Sequence, residues 1–142
     1  MISLIIGKKG TGKTKILVEK VNDAVHVSSG NVVCVEKETK LTYDVNYRAR
    51  LVAADTFAIK GYDAFYGFLS GICAGDHDIT DIFVDATYRI AEDNERTGEA
   101  LAAFLEKVNE LSKISDTKFT FTISSDVDDL PKAMFDFCEK LN

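Results

Sequence analysis

Histidine and cysteine are too scarce in this sequence to indicate a metal cluster or a disulfide framework. The two histidines have no ligand-like neighbours, and Cys34, Cys73 and Cys138 lie within apolar patterns without CxxC spacing. Scattered thiols of this kind are typically buried and reduced. We therefore expect three buried free thiols and no zinc site.

Long apolar runs are missing as well. No run approaches the roughly 20 residues that a membrane-spanning helix needs, and the opening MISLII lacks the basic residues of a signal peptide. We expect no membrane insertion and a cytoplasmic location. With 142 residues, 46% of them hydrophobic and 28% charged, the sequence fits one globular domain spanning residues 1–142.

Charge is unevenly distributed along the chain. Residues 1–60 carry 10 Lys and Arg against 6 Asp and Glu, whereas residues 61–142 carry 7 against 17. The balances of +4 and −10 sum to the net charge of −6. An anionic ligand is therefore favoured in the first part. A nucleic-acid partner is not indicated, because neutralising many phosphates requires a broad basic face.

Apolar runs and helical spacings alternate along the chain. Strands are predicted at residues 2–6, 32–36, 50–55, 78–86 and 118–125. Helices are predicted at 13–25, around 64–73 and 100–111, and at 129–141. Residues 41–48 alternate with period two, which is typical of a short edge strand or hairpin arm. The order predicts a three-layer α/β/α fold, with a mostly parallel sheet of about five strands and helices on both faces.

The segment GKKGTGKT at positions 7–14 follows the first predicted strand and precedes the first helix. It matches G-x-x-x-x-G-K-[ST], a spacing that lets the amides of residues 10–15 surround a phosphate chain. Lys13 would reach the β- and γ-phosphates, and the Thr14 hydroxyl would ligate Mg²⁺. The candidate nucleotide-binding residues are Gly7, Lys8, Lys9, Gly10, Thr11, Gly12, Lys13, Thr14 and Lys15.

With this loop the sequence resembles the P-loop NTPases, in which it is the Walker A motif. The resemblance implies a hydrophobic Walker B strand that ends in an Mg²⁺-binding aspartate, and ITDIFVDA places Asp85 there. Two candidate strands and a helix separate the motifs, which is similar to the RecA-like, additional-strand branch of ATPases. In that branch a further strand lies between the Walker A and B strands. KFTFTISS would be that strand, with Ser124 at its end facing the γ-phosphate.

The sequence departs from that branch after Asp85. Additional-strand ATPases usually carry a catalytic glutamate at the next position, where this chain has Ala86. RecA-like recombinases have their glutamate at the end of the strand after the first helix, and Glu36 occupies that place. Glu36 is therefore the candidate catalytic base; the alternative is a surface carboxylate that balances neighbouring lysines. Two further residues that would position water are Thr87 and Glu92.

Arginines are few, and Arg89 is the candidate to stabilise a leaving phosphate, either within its own chain or in a neighbouring subunit. The alternatives for Arg89 are a solvated surface position and a salt bridge to Asp93. The segment LTYDVNYRAR carries tyrosines and arginines, residue types enriched at interfaces, and is a candidate surface for a protein partner or a homo-oligomer. No NKxD motif is present, so ATP is favoured over GTP by elimination.

Three functions remain open at this point. The first is an ATP- and Mg²⁺-binding P-loop protein with slow or partner-stimulated ATPase activity. The second is a non-hydrolysing, nucleotide-dependent switch or scaffold, which the missing glutamate after Asp85 favours. The third is a small-molecule kinase, which the absence of an arginine-rich lid disfavours.

Overall fold

Six strands and four helices make up the fold in a computed structural model that describes all residues 1–142. The strands are β1 (Ile2–Gly7), β2 (Asn31–Glu36), β3 (Arg50–Ala53), β4 (Ile79–Asp85), β5 (Lys118–Ser124) and β6 (Cys138–Lys140). The helices are α1 (Lys13–Val27), α2 (Gly61–Gly75), α3 (Thr87–Ala91) and α4 (Gly98–Ser115). Short 3-10 helices lie at Ala54–Phe57, Val127–Asp129 and Lys132–Asp136.

All six strands form one parallel sheet in the order β3-β2-β4-β5-β1-β6. The parallel α/β architecture predicted from the sequence is confirmed, with six strands where about five were expected. β5 lies between β1 and β4, which is the order that the resemblance implies. Because parallel strands end at the same edge, the loops after β1, β2, β4 and β5 meet there.

Helices cover both faces of the sheet, because successive side chains of each strand point to opposite sides. On one face, Leu17, Val21 and Val25 of α1 pack with Ile5 and other apolar strand residues. On the other face, α2, α3 and α4 contribute to a larger cluster of 27 buried residues. The strand residues are therefore apolar on both sides, as a doubly covered sheet requires.

The prediction of a closing helix at 129–141 is wrong. Within it, residues 132–136 form a 3-10 helix and residues 138–140 form strand β6, which pairs with the outer edge of β1. The side chain of Asn142 extends the pairing, donating to the Ile6 carbonyl at 2.7 Å and accepting from the Ile6 amide at 3.0 Å. Because β1 would otherwise leave its outer backbone groups unpaired, strand pairing prevails here over a further face-covering helix.

Residues 41–48 form turns instead of an edge strand, so that prediction is also wrong. Leu41, Val45 and Ala49 are buried against α1. The Val45 amide donates to the Leu41 carbonyl at 3.0 Å, a local backbone contact that occurs in a turn and not within a strand. Tyr43 and Tyr47 point to solvent and are 99% and 91% exposed. The period-two pattern that suggested a strand arises from two apolar anchors alternating with two exposed tyrosines.

The three cysteines are buried and unpaired, as expected. Burial raises the pKa of the Cys34 and Cys138 thiols to about 12, so both remain protonated and unreactive near neutral pH. None of the helices combines the length and the apolar character that crossing a bilayer requires.

Phe65 is fully buried, and its ring centroid lies 4.8 Å from Phe104 and 6.5 Å from Phe121. We expect Phe65→Ala to lower the free energy of unfolding by about 3–5 kcal/mol, because it removes a large side chain and leaves a cavity. Urea unfolding measures the loss. The matched control is Phe57→Ala, since Phe57 is 55% exposed; equal losses in the two variants would contradict this view of the core.

Candidate functional site

The loop between β1 and α1 requires glycine at several points. Gly10 and Gly12 have φ angles of 83° and 85°, in the left-handed region that other residues rarely adopt. A Cβ at Gly7 would lie only 2.5 Å from the Thr11 hydroxyl oxygen. That hydroxyl and the Thr11 amide both donate to the Lys8 carbonyl, at 2.7 and 3.3 Å. The glycines therefore permit a compact loop closed on the Lys8 carbonyl.

The N-terminus of α1 is uncapped within this loop. Gly12 occupies the N-cap position, and no side chain accepts from the first helical amides. The amides of residues 13–15 have no acceptor in the protein, and neither do those of Gly10 and Gly12. Together with the helix dipole, these donors favour an anion at this position.

Lys13 is nearly buried, with 7% of its surface exposed, and its Nζ donates to the Lys8 carbonyl at 2.8 Å. Desolvation lowers the pKa of Lys13, the Asp85 carboxylate opposes this shift, and the nearby Arg96 adds to it. The ammonium thus has a neutral hydrogen-bond acceptor and no carboxylate within 4.0 Å. A bound anion would strongly stabilise such a desolvated ammonium group.

Asp85 at the end of β4 lies at the base of the same loop. Its Oδ2 accepts from the Thr14 hydroxyl at 2.9 Å, and its Oδ1 accepts from the Thr122 hydroxyl at 2.6 Å. The structure therefore brings together Thr14 and Asp85, the two residues expected to hold a metal ion. Thr122 was missed by the sequence reasoning; the only signal for it was the alternation of threonines with apolar residues along β5.

Glu36 is a neighbour of Asp85 in the sheet, and the two are aligned between β2 and β4. It is only 3% exposed, so the alternative of a surface carboxylate is wrong. Its Oε1 accepts from the amides of Lys40 and Leu41 at 2.8 and 3.3 Å, and its Oε2 is buried without a partner. Desolvation is the main cause that raises the pKa of Glu36.

The residues around Glu36 and Asp85 provide no other ready base. Ala86 follows Asp85, and the Thr87 hydroxyl is fully buried without a hydrogen-bond partner. Glu92 is exposed and lies 3.8 Å from the Lys37 ammonium. Glu36 is therefore the buried carboxylate beside Asp85, and the amides of Lys40 and Leu41 hold one of its oxygens.

Ser124 lies next to the β1–α1 loop. Arg89, whose guanidinium is ion-paired with Glu38, lines a further cavity together with Lys9 and Ser124. Ser124 is aligned with Gly7 between β5 and β1. Arg89 forms a 2.7 Å ion pair with Glu38, so the expected alternative of a bridge to Asp93 is wrong. The Asp93 carboxylate accepts from Tyr62 and from Thr97, at 2.7 Å from the Tyr62 hydroxyl and 3.0 Å from the Thr97 amide.

Arg96, which the sequence did not single out, lies beside the β1–α1 loop. Its Nη1 donates to the Ser124 carbonyl at 3.1 Å. It lines a polar cavity of about 580 Å³ together with Lys8, Lys9 and Ser124, directly beside the loop. No local motif marks Arg96 in the sequence, because its proximity to the loop depends on the path of the α3–α4 connection.

Comparison with known proteins identifies no family for this chain. No family model matches the sequence, and no curated protein matches it. The functional interpretation therefore depends on the residues themselves.

Proposed function

We propose that the protein binds ATP with Mg²⁺ in the Gly7–Thr14 loop and is a slow or partner-stimulated ATPase. The observation that carries this proposal is the convergence of three features at one sheet edge. These are the uncapped amides of the loop and α1, the nearly buried Lys13 ammonium, and the hydrogen bond between Thr14 and Asp85. The amides would bind the phosphate oxygens, and Lys13 would neutralise their charge.

The donor set of this site fits magnesium. A hydroxyl and a carboxylate within hydrogen-bond distance are both hard oxygen ligands, and Mg²⁺ commonly takes one or two protein ligands, with water and phosphate oxygens filling the rest. Thr14 and Asp85 would hold the ion, with the Thr122 hydroxyl fixing the second oxygen of the carboxylate. When bound, the ion would neutralise part of the negative charge of the phosphates.

Slow turnover follows from the position of Glu36. Orienting or deprotonating water near the γ-phosphate requires an accessible carboxylate. Glu36 is buried, and the amides of Lys40 and Leu41 hold one of its oxygens. Opening of the 37–41 segment would be needed to admit water, and a protein partner or a second copy bound near this segment would favour the opening.

The same observation supports a second candidate function, a nucleotide-dependent switch without turnover. If the 37–41 segment never opens, the loop still binds nucleotide and Glu36 serves only to hold the backbone of Lys40 and Leu41. The two functions share the binding site and differ in phosphate release.

Calorimetric titration of the wild-type protein with Mg-ATP and Mg-GTP tests the binding proposal. We expect saturable binding of Mg-ATP that weakens when EDTA removes the metal, since Thr14 and Asp85 contribute through the ion. Phosphate release then separates the ATPase from the switch. Absence of heat with both nucleotides, on a sample with a cooperative unfolding transition, would refute the proposal.

A further inference from the structure

A cavity of about 470 Å³ lies at the opposite edge of the sheet from the glycine-rich loop. Asn31, Arg50 and Ile79, which are the first residues of β2, β3 and β4, line it. Because these strands are parallel, the cavity is located where they begin, and the site proposed for ATP is located where they end. Its volume is in the range of sites that bind small molecules.

Apolar side chains make up most of the lining. Val33 and Val52 contribute from the sheet, Phe57 from the 3-10 helix after β3, and Phe68 and Ile72 from α2. The rings of Phe57 and Phe68 are stacked, with their centroids 6.3 Å apart. Phe57 is nevertheless 55% exposed. An apolar ligand in the cavity would remove this surface from water, which is favourable.

Two glycines of α2 keep the cavity open. Gly71 and Gly75 line it, and a Cβ at either position would meet no atom within 4 Å. Glycine within a helix lowers the stability of the helix, and no close contact within the chain requires it here. The glycines therefore leave space that the side chains of this protein do not fill.

Two arginines of the lining have no acidic partner. No carboxylate lies within 4.0 Å of the Arg48 or Arg50 guanidinium, and Arg48 contacts only a ring nitrogen of His26, at 3.3 Å. Asp76 is the one carboxylate of the lining. It already accepts from the Asn31 side chain at 2.8 Å and from a backbone amide of its own loop at 2.9 Å. The unpaired charges of the cavity are therefore positive and favour an anion.

We propose that this cavity binds a small molecule with an apolar body and one carboxylate, such as a medium-chain fatty acid. The apolar body would lie against Phe57 and Phe68, and the carboxylate would accept charge-assisted hydrogen bonds from Arg48 and Arg50. A second copy of this chain is a poorer occupant. Symmetric contact through the groove would bring Arg48 and Arg50 of both copies onto one shared face, where like charges repel.

Calorimetry with two probes, sodium octanoate and octylamine, tests this assignment. Octylamine has a similar apolar chain but is positively charged at neutral pH. The net charge of −6 attracts the amine, so a preference for octanoate has to come from the cavity. We expect one octanoate to bind per chain, at least tenfold more tightly than octylamine. Arg50→Gln should lower the octanoate affinity about tenfold, as expected for the loss of a charge-assisted hydrogen bond.

Gly71→Leu places a side chain in the cavity and should abolish octanoate binding. The matched control is Gly67→Leu, which makes the same change one turn earlier on α2, outside the lining, where a Cβ also meets no atom within 4 Å. It should leave the affinity unchanged. Leucine favours the helix more than glycine does, so neither variant should lose its fold.

Three results would overturn the assignment: no saturable binding of octanoate by the wild type, octylamine binding as tight as octanoate binding, or octanoate binding that survives Gly71→Leu. Sedimentation of the unliganded protein adds a fourth. A wild-type dimer that Gly71→Leu dissociates, and that Gly67→Leu does not, would assign the cavity to a second copy of the chain.

Discussion

We expect Lys13→Ala to abolish the stabilisation that Mg-ATP gives to the folded protein. At a ligand concentration 100 times Kd, the wild type should gain about 2.7 kcal/mol in free energy of unfolding, and the variant close to none. The reason is that Lys13 is a nearly buried cation, held by one neutral carbonyl at the centre of the loop. Thermal or urea unfolding with and without ligand measures the gain.

Lys118→Ala is the control for this experiment, since it removes an exposed lysine at the amino end of β5, opposite the loop. It should retain the full gain from Mg-ATP. A Lys13→Ala variant that is still stabilised as strongly as the wild type would exclude this loop as the nucleotide site. Each variant is compared with its own unliganded state, so a change in basal stability does not affect the comparison.

For an active ATPase, Glu36→Gln should lower turnover by about 100-fold or more, while the affinity for Mg-ATP changes little. Glutamine keeps an acceptor for the amides of Lys40 and Leu41, so the 37–41 segment should stay folded. Steady-state phosphate release measures turnover, and calorimetry measures affinity. Glu110→Gln, on the exposed face of α4, is the control.

The pH dependence of stability gives a second measurement on Glu36. Its folded-state pKa is raised above the ordinary value of 4.5, so the folded protein binds more protons than the unfolded chain above that pH. The free energy of unfolding of the wild type should therefore fall as the pH rises from 4.5 through the raised folded-state pKa of Glu36. Glu36→Gln should remove that part of the decline. Full turnover in Glu36→Gln would assign the base elsewhere or to a partner, even if the pH effect is seen.

The glycine-rich loop at residues 7–14 was predictable because its constraints are local. Gly7, Lys13 and Thr14 lie within eight consecutive positions, and the strand and helix that flank them have clear periodicities. Asp85 could be proposed because an apolar strand ends at it. Its contact with Thr122 could not, since the two residues are 37 positions apart and meet only when β4 and β5 are neighbours.

Errors arose where tertiary pairing decided the local structure. The 129–141 segment has a helical spacing of apolar residues, but the free edge of β1 draws residues 138–140 into the sheet. Tertiary packing also explains why the burial of Glu36 was not evident, since Glu36 is polar and has lysines as neighbours in the sequence. Only the packing of the 37–41 segment over the sheet edge buries it.

The pairing of Asn142 with Ile6 has a practical consequence for labelling this protein. Ile6 directly precedes Gly7, so the hydrogen bonds of Asn142 lie one residue away from the site proposed for ATP. A fluorophore or purification tag fused after Asn142 would therefore perturb the region that it is meant to report on. Met1 is 64% exposed at the opposite end of β1, roughly 20 Å away for a six-residue strand, and is the better point of attachment.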